Sequence, residues 1–469
     1  MAFGSIFFLF LFLPFVVLTN WVIQERYRPA FITLASIIFF AAFSFTGVVV
    51  LLAIAGINYI VARFIRHLQR SGFSRGGRVT LTLGLAADLG ILAYFKWSGY
   101  IDPYINALLS RESGSPVAPF LFLAGMSFIV FSAISYLVDV WRGDAEPGSP
   151  FDIVHYLFFF PKLISGPIVR FKDFAWTQPE SAQLVWGAQR VILGLGKKIL
   201  IADNLGTVAD SAFYITIHGA DTATHWFGLV AYTLQIYFDF AGYSDMAIGV
   251  AQMLGYPIAE NFNSPYLSQS ITEFWRRWHI SLGAWFRNYL YIPLGGNRTG
   301  NVYLNLFIVF LATGIWHGAT MNFVLWGLVF AVAIIWERYV RLHPIPVRVP
   351  GIVRWAITFS IVMFNWVLFR ASDLAAATSY YKNLFGISTN EVVMYGWQYS
   401  APPKETAILV IGLVATFIVP RLTISQRWGK PSRTTIGFAT QLALTVVLFG
   451  LCFIQIVSSE VTPFLYFQF

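Results

Sequence analysis

Long apolar runs, separated by shorter basic ones, set the pattern of the chain. They fall at about residues 3–22, 30–45, 46–62, 79–97, 118–140, 185–203, 225–252, 303–318, 319–337, 353–369, 405–420 and 436–457. A helix that crosses the hydrocarbon core needs about 20 residues. The longer runs therefore predict membrane-spanning helices, and the shorter ones predict tilted, broken or re-entrant pieces. Basic residues orient them, because Lys and Arg collect in cytoplasmic loops. Arg63, Arg66, Arg70, Arg75 and Arg78 form the densest such loop. Alternation from there puts Arg142, the Arg276–Arg298 cluster, Arg338–Arg354 and Arg421–Arg433 on the same side, and loops 98–117, 204–224 and 370–404 outside. The first run, Phe3–Val22, is followed by Arg26 and Arg28, has no basic residue before it and lacks a small-residue cleavage site. That predicts a retained anchor with its N-terminus outside.

Composition agrees. Of 469 residues, 57% are hydrophobic, 18% aromatic and only 11% charged, against about 25% charged in soluble domains. The chain is read as an all-α polytopic membrane protein. Its net charge of +9 belongs to cytoplasmic loops and not to nucleic-acid binding. A single cysteine, Cys452, excludes an intrachain disulfide framework and any Cys-based metal site; no metal ligand set is expected.

Two stretches break the pattern. Phe158–Phe171 (FFFPKLISGPIVRF) mixes Pro161, Pro167, Lys162 and Arg170 into apolar sequence. A straight helix would break at the prolines, and non-helical backbone at membrane depth must be buried in protein or line a cavity. The segment is either re-entrant or a cytoplasmic interfacial helix with a loop. Val185–Ile201 carries Arg190, Lys197 and Lys198 and suits a partly interfacial position; its GLGKK lacks the spacing and hydroxyl of a phosphate-binding loop.

Candidate chemistry collects between Tyr237 and His317. A charge at the centre of a membrane helix costs about 2.5–3.5 kcal/mol on insertion scales, so Asp239, Asp245 and His317 each need a partner or a function. In run 225–252, Gln235, Asp239 and Tyr243 share a helix face, whereas Asp245 points elsewhere, near Gly242 and Gly249. The carboxylates either pin helices together or support a site. Ile271, Phe274, Trp275, Trp278, Leu282, Trp285, Phe286 and Tyr289 predict one amphipathic helix across 271–290. A second line along it carries Thr272, Arg276, His279, Gly283 and Arg287. These arginines, with Arg277, could grip phosphates bidentately or contact anionic headgroups. YIPLGGNR (Tyr291–Arg298) predicts a turn. In GIWHGA (Gly314–Ala319), Gly314 and Gly318 remove bulk beside His317 and are expected to open space there; Trp316 and Asn322 flank it. Histidine is the side chain best matched to proton transfer near neutral pH. The residues alone leave a catalytic and a structural His317 equally open.

These blocks resemble the membrane-bound O-acyltransferase family over nearly the whole chain. YFDFAGYSDMAIG (Tyr237–Gly249), NFNSPYLSQSITEFWRRWHISL (Asn261–Leu282), YLYIPLGGNR, WHGA and the terminal PFLYFQF (Pro463–Phe469) look most like the branch that serves alginate O-acetylation. RGD (Arg142–Asp144) and SGP (Ser165–Pro167) fit it too. The resemblance implies a single domain over 1–469: N-terminal helices to 140, a catalytic core over 141–337 and C-terminal helices from 338. It implies about 11–12 membrane helices with re-entrant and interfacial segments around a central tunnel. It places the catalytic histidine at His317 and the second motif histidine at His279, with Asp239, Tyr243, Asp245, Trp316 and Asn322 supporting. It implies acetyl-CoA as a cytoplasmic donor, no resident cofactor, an inner-membrane location, a periplasmic acetyltransferase or esterase-like partner and an exported polysaccharide. Peptidoglycan or cellulose acetylation, D-alanyl transfer to teichoic acid, and a proton-coupled transporter are the rival readings.

Overall fold

The computed structural model describes residues 3–108, 125–215, 221–318, 320–343, 348–387, 402–421, 434–458 and 464–465. All regular secondary structure among them is helical. The chain divides into two compact units, Met1–Gly187 with Val250–Ala259, and Ala188–Gly249 with Glu260–Phe469. Five helices are long and apolar enough to cross a membrane, and the protein is a multi-pass, all-α membrane protein.

The first unit contains α1 (Leu13–Val22), α2 (Arg28–Ala41), α3 (Phe45–Arg70), α4 (Ser74–Leu108) and α5 (Met126–Arg142). α3 and the Ser74–Ser98 part of α4 are of spanning length. Ser44 starts α3 by accepting from the Gly47 N–H at 2.9 Å, satisfying one of the donors that a helix start leaves open. A Cβ on Gly84 would lie 2.8 Å from Val61 and 2.9 Å from Leu137, so α3, α4 and α5 meet closely there. Phe8, Phe12, Phe39 and Phe160 interlock with ring centroids 5.4–5.9 Å apart.

The proline-rich stretch forms α6 (Pro150–Phe158) and α7 (Phe160–Leu163). The break falls at Phe159, just ahead of Pro161, and α7 ends before Pro167. Phe158, Phe159 and Phe160 are fully buried. Lys162 is buried too, its Nζ 3.3 Å from the Tyr156 ring centroid. α6 is exposed at its start, at Pro150, Phe151 and Asp152, and buried from Tyr156 onward, and α7 is buried throughout.

The second unit takes in the end of α8 (Ser181–Gly196), a π-helical turn at Lys197–Ala202, α9 (Asp203–Ile215) and most of α10 (Thr222–Met253). α8 and α10 cross in backbone contact. A Cβ on Gly194 would stand 2.4 Å from the Gly242 carbonyl oxygen, and one on Gly242 would stand 2.6 Å from that of Gly194. Further on come α11 (Ile271–Arg277), α12 (Ile280–Phe286), α13 (Val302–His317), α14 (Met321–Leu342), α15 (Gly351–Arg370), α16 (Leu374–Leu384), α17 (Pro403–Phe417) and α18 (Thr435–Ser458). α14, α15 and α18 are of spanning length, whereas α13 is shorter. Between α12 and α13 the predicted turn is present, with Gly295 at φ +111° and Gly296 at φ +55°. Asn301 then caps α13, its Oδ1 accepting from the Tyr303 and Leu304 N–H groups.

Candidate active site

All of the predicted site residues lie in the second unit. His317 ends α13 and is 4% exposed. Four rings surround its imidazole: Trp316 at 4.5 Å, Trp326 at 4.8 Å, Phe369 at 4.9 Å and Phe323 at 6.2 Å between centroids. α13, α14 and α15 thus each contribute to the pocket wall. Gly314 and Gly318 do not open space beside the imidazole as expected. A Cβ on Gly314 would lie 2.5 Å from the Phe323 carbonyl oxygen, and one on Gly318 would lie 2.4 Å from the Phe323 ring. The glycines let the start of α14 close directly onto the end of α13, which fills the gap with an aromatic ring.

Several polar atoms in this apolar setting lack partners among the described residues. Asn322 Nδ2 donates to the Ala371 carbonyl at 2.9 Å, tying α14 to the end of α15, but its buried Oδ1 accepts nothing. The Trp326 and Trp275 indole N–H groups, with the two rings 5.8 Å apart, are likewise without acceptors. Asn365 Nδ2 donates to the Trp326 carbonyl at 3.0 Å while its Oδ1 is unmatched. Trp326 and Asn365 escaped sequence analysis, since neither stands out in an apolar helix.

His279 sits where the expected helix fails. The continuous amphipathic helix over 271–290 is absent: the backbone breaks at Trp278–His279, and His279 takes φ +46°. Asn261 causes the break. Its carbonyl accepts from the Ile280 N–H at 2.9 Å, and its Oδ1 accepts from the Ser281 N–H and Oγ and meets His279 Nδ1 at 3.2 Å. Two residues on, the Asn263 N–H takes the Arg277 carbonyl. Those bonds replace the intrahelical ones and turn the chain. Glu337 of α14 caps the start of α11, accepting from the Ile271 and Thr272 N–H groups and, at 2.6 Å, from the Thr272 hydroxyl. His279 becomes 1% exposed against Phe240, whose ring centroid is 4.6 Å away. Burial pushes its pKa down to about 3, so it is neutral. Thr272, Arg276, His279, Gly283 and Arg287 therefore do not form one line.

The arginines separate in the same way. Arg276 and Arg287 are exposed and make no ion pair among the described residues. Arg277 pairs with Glu273 at 2.7 Å. The two aspartates are bound into α10's contacts. Asp239 meets Lys198 Nζ at 2.8 Å and accepts from the Leu465 N–H at 2.9 Å. Tyr243, one turn on, packs on Phe464 at 4.6 Å. Asp245 takes Lys197 at 2.5 Å and Arg190 at 2.9 Å, and Arg190 reaches on to Glu260. Adjacent lysines on the π-helical turn thus serve two carboxylates on different faces of α10. Of the terminal PFLYFQF, only Phe464 and Leu465 fall within the described residues. Among those residues, no three His, Cys, Asp or Glu side chains are placed to hold a metal ion.

Comparison with known proteins identifies the family. The profile of MBOAT, the membrane-bound O-acyltransferase family, matches residues 120–372, which include both histidines. The protein named Probable alginate O-acetylase AlgI of Pseudomonas putida is 36% identical, with all of both chains covered. Its namesake in Pseudomonas aeruginosa is 38% identical over 92% of this chain and 84% of its own. The Peptidoglycan O-acetyltransferase of Helicobacter pylori is 30% identical over 100% of this chain and 98% of its own. With its helical membrane architecture and a match over its whole length, the chain belongs to the membrane-bound O-acyltransferase family and is an O-acyltransferase.

Proposed function

We propose that the protein moves acetyl groups from acetyl-CoA, taken up on the cytoplasmic side of a bacterial inner membrane, toward O-acetylation of an exported polysaccharide. Alginate is preferred as that polymer over peptidoglycan, because the alginate relatives are 36–38% identical and the peptidoglycan relative 30%. The setting of His317 carries the reading: a buried imidazole packed among four aromatic rings of α13, α14 and α15. A periplasmic acetyltransferase or esterase-like subunit supplies the acceptor hydroxyl. His317 takes the hydroxyl proton as the oxygen attacks the thioester carbonyl. A C–O bond forms, the C–S bond breaks, and the leaving thiolate recovers the proton from the imidazolium. The Trp326 indole N–H is a preorganised donor for the oxyanion that develops in between, in a site that excludes water. Arg276 and Arg287, exposed and without ion pairs among the described residues, hold the phosphates of the donor. Asp239, Tyr243 and Asp245 support the site by fixing α10, and Trp316 and Asn322 by fixing the ends of α13 and α14. The N-terminus lies outside.

The test is His317→Ala. Loss of a general base lowers the rate by about 10²–10⁴-fold. The variant is expected to insert and purify as a monodisperse species while the polysaccharide of a strain carrying it loses its acetyl esters. Acetylation within a factor of a few of wild type, at equal amounts of folded protein, would make His317 a packing residue and refute the mechanism.

A further inference from the structure

The first unit holds a cavity that none of this chemistry uses. It measures about 300 Å³, with Phe151, Phe174, Trp176 and Tyr256 over a floor made by His155, and Asp152 at its rim. We propose that it binds the zwitterionic headgroup of a membrane phospholipid, phosphatidylethanolamine, with the ammonium among the rings beside Asp152 and the phosphate on Arg28.

The floor is neutral and its polar atoms are matched. The Thr33 hydroxyl donates to the Pro29 carbonyl at 2.7 Å, so its oxygen can only accept from His155 Nδ1, 2.8 Å away. The proton then sits on Nδ1, and Nε2 accepts from the Tyr256 hydroxyl at 2.6 Å. His155 brings no charge. The surroundings bring two. Asp152 commits Oδ2 to the Ser149 N–H and hydroxyl, and Oδ1 accepts nothing among the described residues. Arg28 donates from Nε to the Ile23 carbonyl at 3.3 Å, and its guanidinium carbon stands 5.4 Å from the centre of the Trp176 ring. Its terminal nitrogens make no bond among the described residues. Asp152 lines the cavity, and Arg28 stands beside it, next to the lining residue Pro29 and against the lining Trp176 ring; the two charges do not pair with each other, which suits a ligand carrying both signs. Electron-rich ring faces add the attraction for an ammonium.

The rings also argue against a flat ligand such as a nucleotide base. A base held in a sandwich needs two parallel rings about 7 Å apart, twice the van der Waals contact distance. Here the parallel pairs are already in contact, Phe174 with Tyr256 at 4.8 Å and Phe151 with His155 at 5.9 Å. The volume sits at the bottom of the range of about 300–1,000 Å³ for ligand pockets, enough for a headgroup and too little for a whole coenzyme. The cage is held in place without ligand. Trp176 Nε1 donates to the Leu254 carbonyl at 3.2 Å and the Thr177 N–H to that of Gly255 at 2.8 Å. Gly255 has φ +88°, and a Cβ there would strike the Thr177 carbonyl oxygen at 2.4 Å, so the turn under the cage demands glycine.

The test compares wild type, Arg28→Gln and Asp152→Asn, the second keeping an acceptor for the helix cap. Each is reconstituted in nanodiscs of equal parts dioleoyl-phosphatidylethanolamine and dioleoyl-phosphatidylglycerol, then washed in detergent. Lipid still bound is counted by native mass spectrometry. Wild type is expected to keep phosphatidylethanolamine over phosphatidylglycerol, and each variant to lose about tenfold of that retention. Melting temperatures in pure phosphatidylglycerol nanodiscs should match wild type, which a merely structural role for these residues would not allow. Equal retention of both lipids by wild type, unchanged retention in both variants, or displacement of the bound lipid by adenosine 3′,5′-bisphosphate would overturn the proposal.

Discussion

Asp245→Asn isolates what the ion pairs of α10 contribute. The carboxylate is 13% exposed and holds Lys197, 26% exposed, and Arg190, 21% exposed. Stripping one partner from a buried pair costs about 3–5 kcal/mol, because the other charge is left without compensation. Two features reduce that here. Both cations are partly exposed, and Arg190 keeps Glu260 at 2.5 Å. Lys197 has no second carboxylate, so the loss reduces to about one stranded ammonium, roughly 2–3 kcal/mol. Replacing both members, as in Lys197→Met with Asp245→Leu, strands no ammonium and leaves only the Arg190 Nε–H without its acceptor, so it should be less destabilised than Asp245→Asn, by about 1–2 kcal/mol relative to wild type. Equilibrium unfolding in mixed dodecylmaltoside–SDS micelles measures all three. A single mutant within about 0.5 kcal/mol of wild type, the range of a surface change, would refute the reasoning. So would a double mutant as unstable as the single.

Three further outcomes can be checked directly. Charge reversal at Arg276 or Arg287 should raise the acetyl-CoA concentration for half-maximal turnover in reconstituted vesicles without lowering thermal stability; unchanged donor dependence would assign both residues to lipid. His279 is neutral in the fold with its pKa near 3, below its ordinary 6.5, so the unfolded chain takes up a proton that the folded one refuses. Stability should therefore fall as pH drops below about 6.5, and His279→Gln should flatten that slope in a thermal-shift series. In a Cys452→Ala background, a cysteine at position 70 should resist an impermeant thiol reagent added from outside and one at position 110, which lies outside the described residues, should react; the reverse would invert the topology.

Sequence analysis reached furthest where the physics is local. Spanning helices are legible because about 20 apolar residues leave few alternatives, and the Pro161 break and the Gly295–Gly296 turn follow from backbone limits alone. The need of Asp239 and Asp245 for partners was legible too, from the cost of a charge in apolar surroundings. Which cations answer it was not, since Lys197 and Lys198 lie more than 40 positions away and neighbouring residues on a helix point in different directions, each to its own carboxylate. The break at His279 misled periodicity for a similar reason. Its cause, Asn261, is distant, and the apolar spacing of Ile271–Tyr289 is real but serves two short helices. Glu337 as the cap of α11 gave no signal at all. His317 stood out through its glycines, though the structure uses them for a backbone crossing and not for space.

The length of α13 has a consequence for the membrane. Its 16 residues extend roughly 24 Å at 1.5 Å each, short of the hydrocarbon core of about 30 Å. The helix ends at His317, and Gly318 leaves it in an extended conformation, so the chain turns back before α13 alone has crossed. α14, with 22 residues, is long enough to cross beside it. The pair therefore carries a built-in hydrophobic mismatch, relieved by thinning the bilayer or by admitting polar groups at the short helix's end. Bilayer thickness is thereby expected to act on the site: longer-chained lipids should bury the same imidazole deeper, and shorter ones should bring it toward the headgroups.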